Sequence, residues 1–513
     1  MPPRRTSTGL AAVVLAAGHG KRMKSSRAKV LHDVCGRPSL WHVVQAALGA
    51  KPATIAIVVH HARDEVEDAV RSWGIEPEPV FVEQGEPLGT GHAVAVTEEA
   101  LGRAGEVLVL SGDDPLVTSR HVRGLLSAHR RTKAAATILT TVLDDPAGFG
   151  RIVRQGSKLV GIVQEADASP EVRKIREVST LVYAFRREDL FGALPLVGKE
   201  NRLNEYYLPD VITILKDKGE RVSVVAVDLG GGLGLNSRKG LATVTRIMRN
   251  RIVENHMAKG VTFVDPATVY VDVDVRIGSD TIVLPFTHLE GSTRIGARCR
   301  IGPATRIVSS TIGDDADVTF SVVRGSKIAR RVSVGPYASL RAGTVIDEDG
   351  KAGSFVEIKA SRVGRGSKVP HLSYVGDATI GADANIGAGT VTVNYDGFEK
   401  HRTVIGDGAS IGSDTMLVAP VKVGKRAWTG AGSTITKDIP AGALAVERSE
   451  QRIVPGYDER KRARKGKDER GRLFTHGVPF HPCPCALACV RRSQGRSAAP
   501  TSPPPGHPPG CPW

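Results

Sequence analysis

The sequence predicts two domains of different architecture, an α/β domain with a mostly parallel sheet followed by a left-handed parallel β-helix of hexapeptide repeats. Short apolar runs alternate with amphipathic segments from residue 9 to 235, and an aliphatic residue then recurs every six positions from about 264 to 440. The 513 residues include 57 Gly, while aromatic residues make up only 4%. We therefore expect a core of small aliphatic side chains joined by tight turns.

The first domain alternates strands with helices. We predict strands at the apolar runs 11–16, 55–59, 80–82, 107–110, 136–141, 181–185 and 222–227, and helices at 40–48 and 64–73. This alternation favours an open sheet covered by helices, whose ligands bind at the carboxyl ends of the strands. The stretch 10–17 also has the composition of a secretory signal, but the charged glycine loop behind it favours a buried first strand.

A connecting helix and a coil follow. Residues 237–259 carry apolar residues three and four positions apart, which predicts a helix after Ser237. The series that begins at Ile295, Ile301 and Ile307 fits a parallel β-helix, whereas a β-sandwich would need variable strand spacing and more aromatic residues. A polar segment at 392–401 interrupts the repeats, and we expect it to leave the coil as a binding loop.

The predicted limits are 9–235 for the α/β domain, 236–260 for the linker helix, 261–450 for the coil and 451–513 for a tail. The formal net charge is +16, but residues 459–513 hold 11 of the 70 Lys and Arg residues and 3 of the 54 Asp and Glu residues. Because this basic, proline-rich tail supplies half of the net charge, anionic substrates account for the rest without nucleic acid. We expect the tail to be disordered.

The cysteines are unevenly distributed. Cys35 and Cys299 stand alone, and the other four of the six lie in the last 31 residues. Isolated cysteines form no disulfide framework, which predicts a cytoplasmic location. Cys483, Cys485 and Cys489 match no standard zinc spacing, so we expect no metal in the tail.

Three loops carry the residue types of nucleotide and metal chemistry. Residues 15–23 (LAAGHGKRM), with Lys29 following, supply glycine amides and cations, as a triphosphate requires, although a structural turn is the alternative for this loop taken alone. Residues 83–93 (EQGEPLGTGHA) form a second amide-rich turn. Residues 109–116 (VLSGDDPL) end a buried strand in two carboxylates that suit a divalent metal.

Together these loops resemble those of the sugar-nucleotide pyrophosphorylases, whose nucleotidyltransferase domain is Rossmann-like. With the repeats and the segments 370–377 (PHLSYVGD) and 394–397 (NYDG), residues 9–455 resemble the bifunctional N-acetylglucosamine-1-phosphate uridyltransferase and glucosamine-1-phosphate N-acetyltransferase family. The resemblance implies acetylation of glucosamine-1-phosphate by acetyl-CoA, then transfer of UMP from UTP to N-acetylglucosamine-1-phosphate with release of pyrophosphate. It also implies Mg²⁺ as cofactor, a homotrimer, a cytoplasmic role in peptidoglycan and lipopolysaccharide precursor synthesis, and no nucleic-acid or membrane partner.

The resemblance also assigns residues in the first domain. Arg22 would stabilise the phosphoryl-transfer transition state, and Asp113 and Asn236 would bind Mg²⁺. Contacts with the uridine nucleotide or the sugar are implied for Leu15, Ala16, Ala17, Gly18, Lys29, Gln84, Gly89, Thr90, Ser111, Gly112, Gly150, Gln164, Ser179 and Asn236. Gln164 stands where the family has Glu, Ser179 where it has Asn, and Leu181 where it has Gly. We expect weaker binding of N-acetylglucosamine-1-phosphate, or acceptance of another sugar.

In the repeat half, the resemblance implies that His371 is the general base that removes a proton from the 2-amino group of the sugar. Arg341 and Lys359 would hold the sugar phosphate, and Tyr374 and Asn385 would orient the sugar. Contacts with acetyl-CoA are implied for Ala388, Asn394, Tyr395, Ser413, Ala431 and Arg448.

Two rival functions use parts of the same pattern. A hexose-1-phosphate nucleotidyltransferase with a purely structural repeat domain shares the first three loops, but it gives no reason for His371 or the 394–397 segment. A γ-type carbonic anhydrase on the same coil needs three zinc-binding histidines, and the candidates His288, His371 and His401 lie in unsuitable sequence surroundings.

Overall fold

The structure, a computed structural model, describes residues 9–232 and 234–471, with side chains as far as residue 465. The described residues up to Arg448 form one compact unit, and those from Ser449 belong to a second. Over this described part, the chain contains no helix with the length and apolar character that a membrane span requires.

The α/β half follows the predicted alternation. Its strands are β1 (Leu10–Leu15), β2 (Asp33–Val34), β3 (Arg37–Pro38), β4 (Thr54–Val59), β5 (Val80–Glu83), β6 (Glu106–Ser111), β7 (Ala136–Val142), β8 (Arg151–Gln155), β9 (Lys158–Val163), β10 (Glu177–Arg186) and β11 (Val222–Ala226). Its helices are α1 (Ser39–Leu48), α2 (Arg63–Arg71), α3 (Thr90–Ala95), α4 (Ser119–Thr132), α5 (Pro170–Arg173), α6 (Arg187–Ala193) and α7 (Asp210–Asp217). Short 3₁₀ turns occupy Lys21–Met23, Lys29–Leu31 and Leu194–Leu196.

The main sheet has the strand order β11-β7-β10-β6-β1-β4-β5. All its neighbours are parallel except β10, which runs antiparallel to β6 and β7, and the β8–β9 hairpin attaches to β10. All seven predicted strands are present. The hairpin was not predicted from the sequence, because its exposed ends lack a continuous apolar run.

Both faces of the sheet are buried. Ala12 and Val14 of β1 pack in one cluster with residues of α1, α2 and α4, while Ala11 and Val13 pack in a second cluster with residues of α3, α6 and α7. Because successive side chains of a strand point to opposite faces, a strand covered on both sides must be apolar throughout. The stretch 10–17 is thus accounted for as the central strand and the turn that follows it.

The connecting helix α8 (Arg238–Met257) joins the two hydrophobic cores. It begins at Ser237, whose hydroxyl accepts a hydrogen bond from the Gly240 N–H at 3.1 Å. Val244 packs in the core of the α/β half, whereas Val253 packs in the core of the coil. One helix therefore couples the stability of the two halves.

The second half is a parallel β-helix with three faces. The first face contains Thr262–Phe263, Ile282–Val283, Arg300–Ile301, Asp317–Val318, Ser333–Val334, Lys351–Ser354, Lys368–His371, Asn385–Ile386, Ser410–Ile411, Trp428–Thr429 and Leu444–Ala445. The second contains Tyr270–Val271, His288–Glu290, Arg306–Val308, Val322–Arg324, Ser339–Leu340, Glu357–Lys359, Tyr374–Gly376, Val391–Val393, Met416–Val418 and Thr434–Ile435. The third contains Arg276–Ile277, Arg294–Ile295, Thr311–Ile312, Lys327–Ile328, Val345–Ile346, Arg362–Val363, Ala378–Ile380, Thr403–Ile405 and Val421–Val423. A 3₁₀ turn at Pro266–Thr268 lies near the start of the coil.

The six-residue period reflects one inward side chain for each short strand. In the third face, for example, Arg294 is exposed and Ile295 is buried, and Ile295 lies opposite Ile312 of the next coil. Three such strands make one turn, so aliphatic residues stack from coil to coil. The interruption at 392–401 leaves the coil as predicted, and an antiparallel bridge between Tyr395 and Lys400 closes this loop.

The first part of the predicted tail is helical in the structure. Tyr457–Gly471 form helix α9, in which Arg462 donates to Asp458 one turn earlier at 2.6 Å. Acidic residues near the N-terminus of this helix and basic residues beyond them suit the helix dipole, which favours helix in an otherwise hydrophilic segment. The predictions for Cys483, Cys485 and Cys489 concern positions outside the described residues.

Candidate active sites

A cavity of about 590 Å³ opens at the carboxyl ends of the parallel strands of the α/β half. The predicted residues that line it are Leu15, Ala17, Gly18, Arg22, Lys29, Gln84, Gly89, Thr90, Ser111, Asp113, Gly150, Gln164, Ser179 and Asn236. Ala16 and Gly112 lie behind its wall, where their N–H groups donate to the carbonyls of Val58 and Leu15, each at 2.9 Å. The cavity thus draws these residues from seven separate segments of the chain.

Lys29 is a half-buried cation at the polar end of this cavity. Its ammonium contacts the Asp113 carboxylate and lies 3.2 Å from Asn236 Oδ1, and the Ser111 hydroxyl also donates to Asp113. Burial alone would raise the pKa of Asp113, but Lys29 and these hydrogen bonds outweigh burial and lower that pKa. Burial and the neighbouring Asp113 raise the pKa of Asp114 well above its ordinary value.

The oxygens of Asp113 and Asn236 converge on one cationic group, so these residues fit a divalent cation as well as an ammonium. Carboxylate and amide oxygens are hard ligands of the kind that Mg²⁺ prefers. Within residues 9–232 and 234–465, no three His, Cys, Asp or Glu side chains are arranged to hold a metal by themselves. A metal held here therefore needs water or substrate oxygens to complete its coordination.

The first glycine loop passes close to Lys29, and only a residue without a side chain fits at position 20. Gly20 has φ +61°, and a Cβ at this position would lie 2.7 Å from Lys29 Cβ. Beyond it, Arg22 is exposed on the cavity rim, with Nη1 3.9 Å from the point where a Cβ on Gly148 would lie. Arg22 and Lys29 thus place two cations in the lining of the cavity.

The other end of the cavity contains the three departures from the family pattern. Gln164 Nε2 lies 3.1 Å from the point where a Cβ on Gly150 would lie. The Ser179 hydroxyl is within 2.8 Å of the buried Tyr183 hydroxyl, at an irregularity of β10, and Leu181 lines the cavity with φ +53°. A non-glycine residue in this region is strained by about 1 kcal/mol, so the Leu side chain is held there by its surroundings.

Glu165 does not take the place of the missing glutamate at position 164. Its carboxylate accepts hydrogen bonds from the buried Arg151 at 2.6 Å and from the Gly148 N–H at 3.2 Å, and it lies 3.7 Å from Arg173. These contacts direct the Glu165 side chain away from the cavity lining. The group that this segment presents to the cavity is therefore the neutral Gln164 amide.

A second constellation lies on the β-helix. Arg341, Lys359 and Gly376 follow one another on successive coils, since the Arg341 N–H donates to Ile358 and Lys359 pairs with Gly376 in the strand register. A Cβ on Gly376 would lie 2.5 Å from the Tyr374 hydroxyl and 2.8 Å from Asn394 Nδ2, so both groups fold over that glycine.

Acidic partners hold the cations of this constellation. The Lys359 ammonium lies 3.3 Å from Asp377, which also accepts from Asn394 Nδ2 at 2.5 Å, and Arg341 donates to Glu357 at 2.9 Å. Lys400, from the loop that leaves the coil, lies beside Lys359. A hydrogen bond donated by Lys359, together with the repulsion between the two charges, lowers the pKa of Lys400. Three basic side chains thus surround one patch, which suits a phosphate group.

A row of residues runs along one corner of the coil, from His371 through Ala388, Ser413 and Ala431 to Arg448. The carbonyls of the first three accept from Gly389, Asp414 and Gly432 at 3.3, 2.6 and 2.8 Å, and Arg448 Nη1 donates to the Ala431 carbonyl at 3.1 Å. His371 is exposed at the end of strand Lys368–His371, whose register partner for Lys368 is Asn385. The sequence-predicted base and four of the predicted acetyl-CoA positions therefore lie on one edge.

The geometry does not support the γ-type carbonic anhydrase, which would need three histidines around one zinc ion. His288 stacks on Tyr270, with ring centroids 4.8 Å apart, while His401 lies 2.7 Å from Asp396 in the loop. Among the described residues, these two histidines and His371 do not form a group that could hold a metal ion.

Comparison with known proteins relates both halves to described families. Residues 12–177 match the MobA-like NTP transferase domain, and residues 402–437 match the hexapeptide repeat of succinyl-transferase. The bifunctional protein GlmU of Caldanaerobacter subterraneus subsp. tengcongensis is 46% identical over 89% of this chain and 99% of its own length. Those of Carboxydothermus hydrogenoformans and Heliobacterium modesticaldum are 46% and 47% identical over 86% and 88% of this chain, and 98% of each relative is covered.

The chain belongs to the GlmU family. It is a bifunctional enzyme, an acetyltransferase and uridyltransferase of UDP-N-acetylglucosamine synthesis, with nucleotide and sugar-phosphate substrates and an acetyl donor. The nucleotidyltransferase half implies a divalent metal. Membership of the GlmU family with both halves present rules out the reading in which the repeats are only structural.

Two residues of these GlmU sites were not singled out from the sequence. Glu205 also lines the cavity, and Lys400 lies beside Lys359 on the coil. Glu205 and Lys400 lie in turns without any periodic pattern, and each meets its site through contacts with distant segments. A carboxylate or an ammonium in a turn is usually solvated, so no local signal distinguishes these two.

Proposed function

We propose that the cavity of the α/β half is the uridyltransferase site and that the corner of the β-helix at His371 is the acetyltransferase site. The observation that carries this assignment is the position of Lys29 between Asp113 and Asn236, which joins the glycine loop, the end of β6 and the start of α8. Phosphoryl transfer needs cations and oxygen ligands at one point, and this arrangement supplies them.

In the uridyltransferase site, the amides of the glycine loop and Lys29 hold the phosphates of UTP, while Gln84, Gly89 and Thr90 hold the uridine. An oxygen of the sugar phosphate attacks the α-phosphorus in line, and pyrophosphate leaves. Arg22 neutralises the charge that develops during this displacement. No side-chain nucleophile takes part, so the residues act by positioning and by charge.

Mg²⁺ is the metal that we assign to this site, with Asp113 and Asn236 as its protein ligands. When bound, the metal neutralises phosphate oxygens during transfer. Because Asp113 is kept ionised by Lys29 and Ser111, it is available as a ligand at neutral pH. Lys29 is paired with Asp113 in this structure. When a metal ion replaces it as the partner of Asp113, the Lys29 ammonium can turn towards a phosphate.

At the sugar end, Gly150, Gln164 and Ser179 contact N-acetylglucosamine-1-phosphate. Gln164 offers one acceptor and one donor where a carboxylate would offer only acceptors, and the Ser179 hydroxyl already has Tyr183 as a partner. Each change weakens sugar binding by about 1 kcal/mol, or roughly fivefold in affinity. The uridyltransferase therefore has a higher KM for this sugar phosphate than a relative with Glu and Asn.

In the acetyltransferase site, Arg341 and Lys359 bind the phosphate of glucosamine-1-phosphate, and Tyr374 and Asn385 orient the sugar. An amine is largely protonated at pH 7, so a base is needed before it attacks the thioester. His371 takes that proton. Acetyl-CoA lies along the corner row and against Asn394 and Tyr395, with the thioester at the His371 end.

The wider assignments follow from the same family. We propose a homotrimer, a cytoplasmic location consistent with the unpaired Cys35 and Cys299, and a functional division at 9–235, 236–260, 261–450 and 451–513. UTP and acetyl-CoA are the nucleotide and the acetyl donor. No nucleic-acid or membrane partner is required for either reaction.

One omission experiment tests the assignment of both reactions. The purified protein is incubated with glucosamine-1-phosphate, acetyl-CoA, UTP and Mg²⁺, each component is left out in turn, and the products are identified by mass. Without acetyl-CoA no N-acetylglucosamine-1-phosphate forms, and without UTP or Mg²⁺ the reaction stops at that compound. UDP-sugar formation without acetyl-CoA would contradict the proposed order.

A further inference from the structure

Glu205 is a carboxylate in the cavity to which no role has been given. It lines the cavity, and among the residues whose side chains the structure describes, none forms a hydrogen bond or an ion pair with its carboxylate. By contrast, Asp113 in the same cavity is paired with Lys29. A half-buried carboxylate without a protein partner is available to accept a hydrogen bond from a substrate.

The backbone around Glu205 is held firmly even though its side chain is free. The Asn201 side chain donates to the Glu205 carbonyl at 2.7 Å and accepts from the Glu205 N–H at 3.2 Å. The next residue, Tyr206, donates to the Leu88 carbonyl at 2.8 Å and accepts from the Gly91 N–H at 2.7 Å. The carboxylate is therefore presented from a fixed segment.

This segment is also locked to the loop assigned to uridine. Gly89 has φ +115°, and a Cβ there would lie 2.6 Å from the Tyr206 carbonyl oxygen and 3.0 Å from Glu205 Cβ. The Leu208 N–H donates to the Thr90 hydroxyl at 3.0 Å. Only glycine permits this approach, so Glu205 keeps a constant position relative to the nucleotide.

The chemistry of the substrates limits what Glu205 can bind. A carboxylate repels phosphates, and the oxygens that fit a metal lie at Asp113 and Asn236, on other segments. The remaining partners are neutral donors on the substrates, chiefly hydroxyl groups of the ribose and of the hexose. Burial raises the pKa of Glu205, and a hydroxyl donor would offset that loss of solvation.

We propose that Glu205 accepts a hydrogen bond from one sugar hydroxyl in the uridyltransferase site, on the ribose of UTP or on the hexose of the sugar phosphate, and selects substrates that carry it. This rests on the assignment of the cavity to uridyl transfer. A site built to bond a hydroxyl disfavours the analogue that lacks it, because the half-buried acceptor then loses that hydrogen bond.

The test compares the wild type with Glu205→Ala, which removes the acceptor, on two series of substrates. One series is UTP, 2′-deoxy-UTP and 3′-deoxy-UTP, and the other is N-acetylglucosamine-1-phosphate with its 3-, 4- and 6-deoxy analogues. In the wild type, one analogue is expected to lose about tenfold in kcat/KM. In Glu205→Ala, the parent substrate loses about the same factor through KM, and the penalty for that analogue disappears.

The series in which the penalty disappears identifies the hydroxyl as belonging to the ribose or to the hexose. Glu200→Ala, which removes an exposed carboxylate on the same connection, is the matched control and is expected to match the wild type. Acetyltransferase activity of each variant reports whether the chain is folded. Unchanged KM values in Glu205→Ala, or an analogue penalty that persists in it, would overturn the proposal, whereas an inactive wild type would instead refute the assignment of the cavity.

Discussion

Glu177 anchors the start of the strand that carries Ser179, and its replacement by Gln is expected to destabilise the α/β half. Arg154 donates to both Glu177 carboxylate oxygens at 2.7 Å, and the Thr140 hydroxyl donates at 2.8 Å. The Arg154 and Glu177 side chains are 30% and 20% exposed, so solvent screens the pair only partly. Loss of this charge-assisted pair is expected to cost about 2 kcal/mol of unfolding free energy.

The pKa of Glu177 determines how the stability difference between the wild type and Glu177→Gln changes with pH. The hydrogen bonds from Arg154, opposed by burial and aided by Thr140, lower the pKa of Glu177. A lowered folded-state pKa stabilises the protein above the unfolded value of about 4.3, and that stabilisation is lost as pH falls through the folded value. The gap between wild type and Glu177→Gln is therefore largest near pH 7 and closes in acid.

Thermal unfolding at pH 7 and at pH 4 measures this gap. About 2 kcal/mol corresponds to a fall in Tm of roughly 4–8 °C for a domain of this size. Glu78→Gln is the control, because Glu78 pairs with Arg71 at 3.3 Å with the two side chains 80% and 53% exposed, and such surface pairs contribute under about 1 kcal/mol. Equal shifts in the two variants, or a gap that widens in acid, would refute the reasoning.

Three other predictions concern catalysis. His371→Ala is expected to abolish acetylation and to leave UMP transfer unchanged, and comparable losses in the two assays would argue against two separate sites. A chelator is expected to stop UMP transfer while acetylation continues, as measured by product mass; loss of both activities would place a metal in the coil as well. Gln164→Glu and Ser179→Asn are each expected to lower the KM for N-acetylglucosamine-1-phosphate about fivefold at constant KM for UTP, and steady-state kinetics that show no change would remove these positions from the sugar site.

Much of the fold follows from periodic features of the sequence. The two-sided burial of β1 demands a continuous apolar run, and the one inward residue of each coil strand demands an aliphatic residue every six positions. Both patterns are local, so they are visible without any structure. Helix α9 was not predicted, because it has no apolar face and depends on charge pairs such as Asp458 with Arg462.

The site is only partly predictable for a different reason. Glycine loops and the carboxylate pair at the end of β6 have local signatures, but the contact between Lys29 and Asp113 joins residues 84 positions apart. Glu205 is held at the cavity because the next residue, Tyr206, forms backbone hydrogen bonds with Leu88 and Gly91, and no local sequence pattern indicates these contacts. The roles assigned to individual residues remain predictions that the kinetic tests address.

The row of residues from His371 to Arg448 along the corner of the coil also determines how long an acetyl donor must be to contact the whole proposed site. Neighbouring strands of a sheet are about 4.8 Å apart, so four steps along the corner span about 19 Å. A donor that uses the whole row must be long and extended, with its reactive end at one terminus and its anchoring group at the other. A short acetyl donor would contact only the His371 end of the row. It would lack the contacts with the rest of the row, through which the proposed site recognises an acetyl group attached to a long carrier.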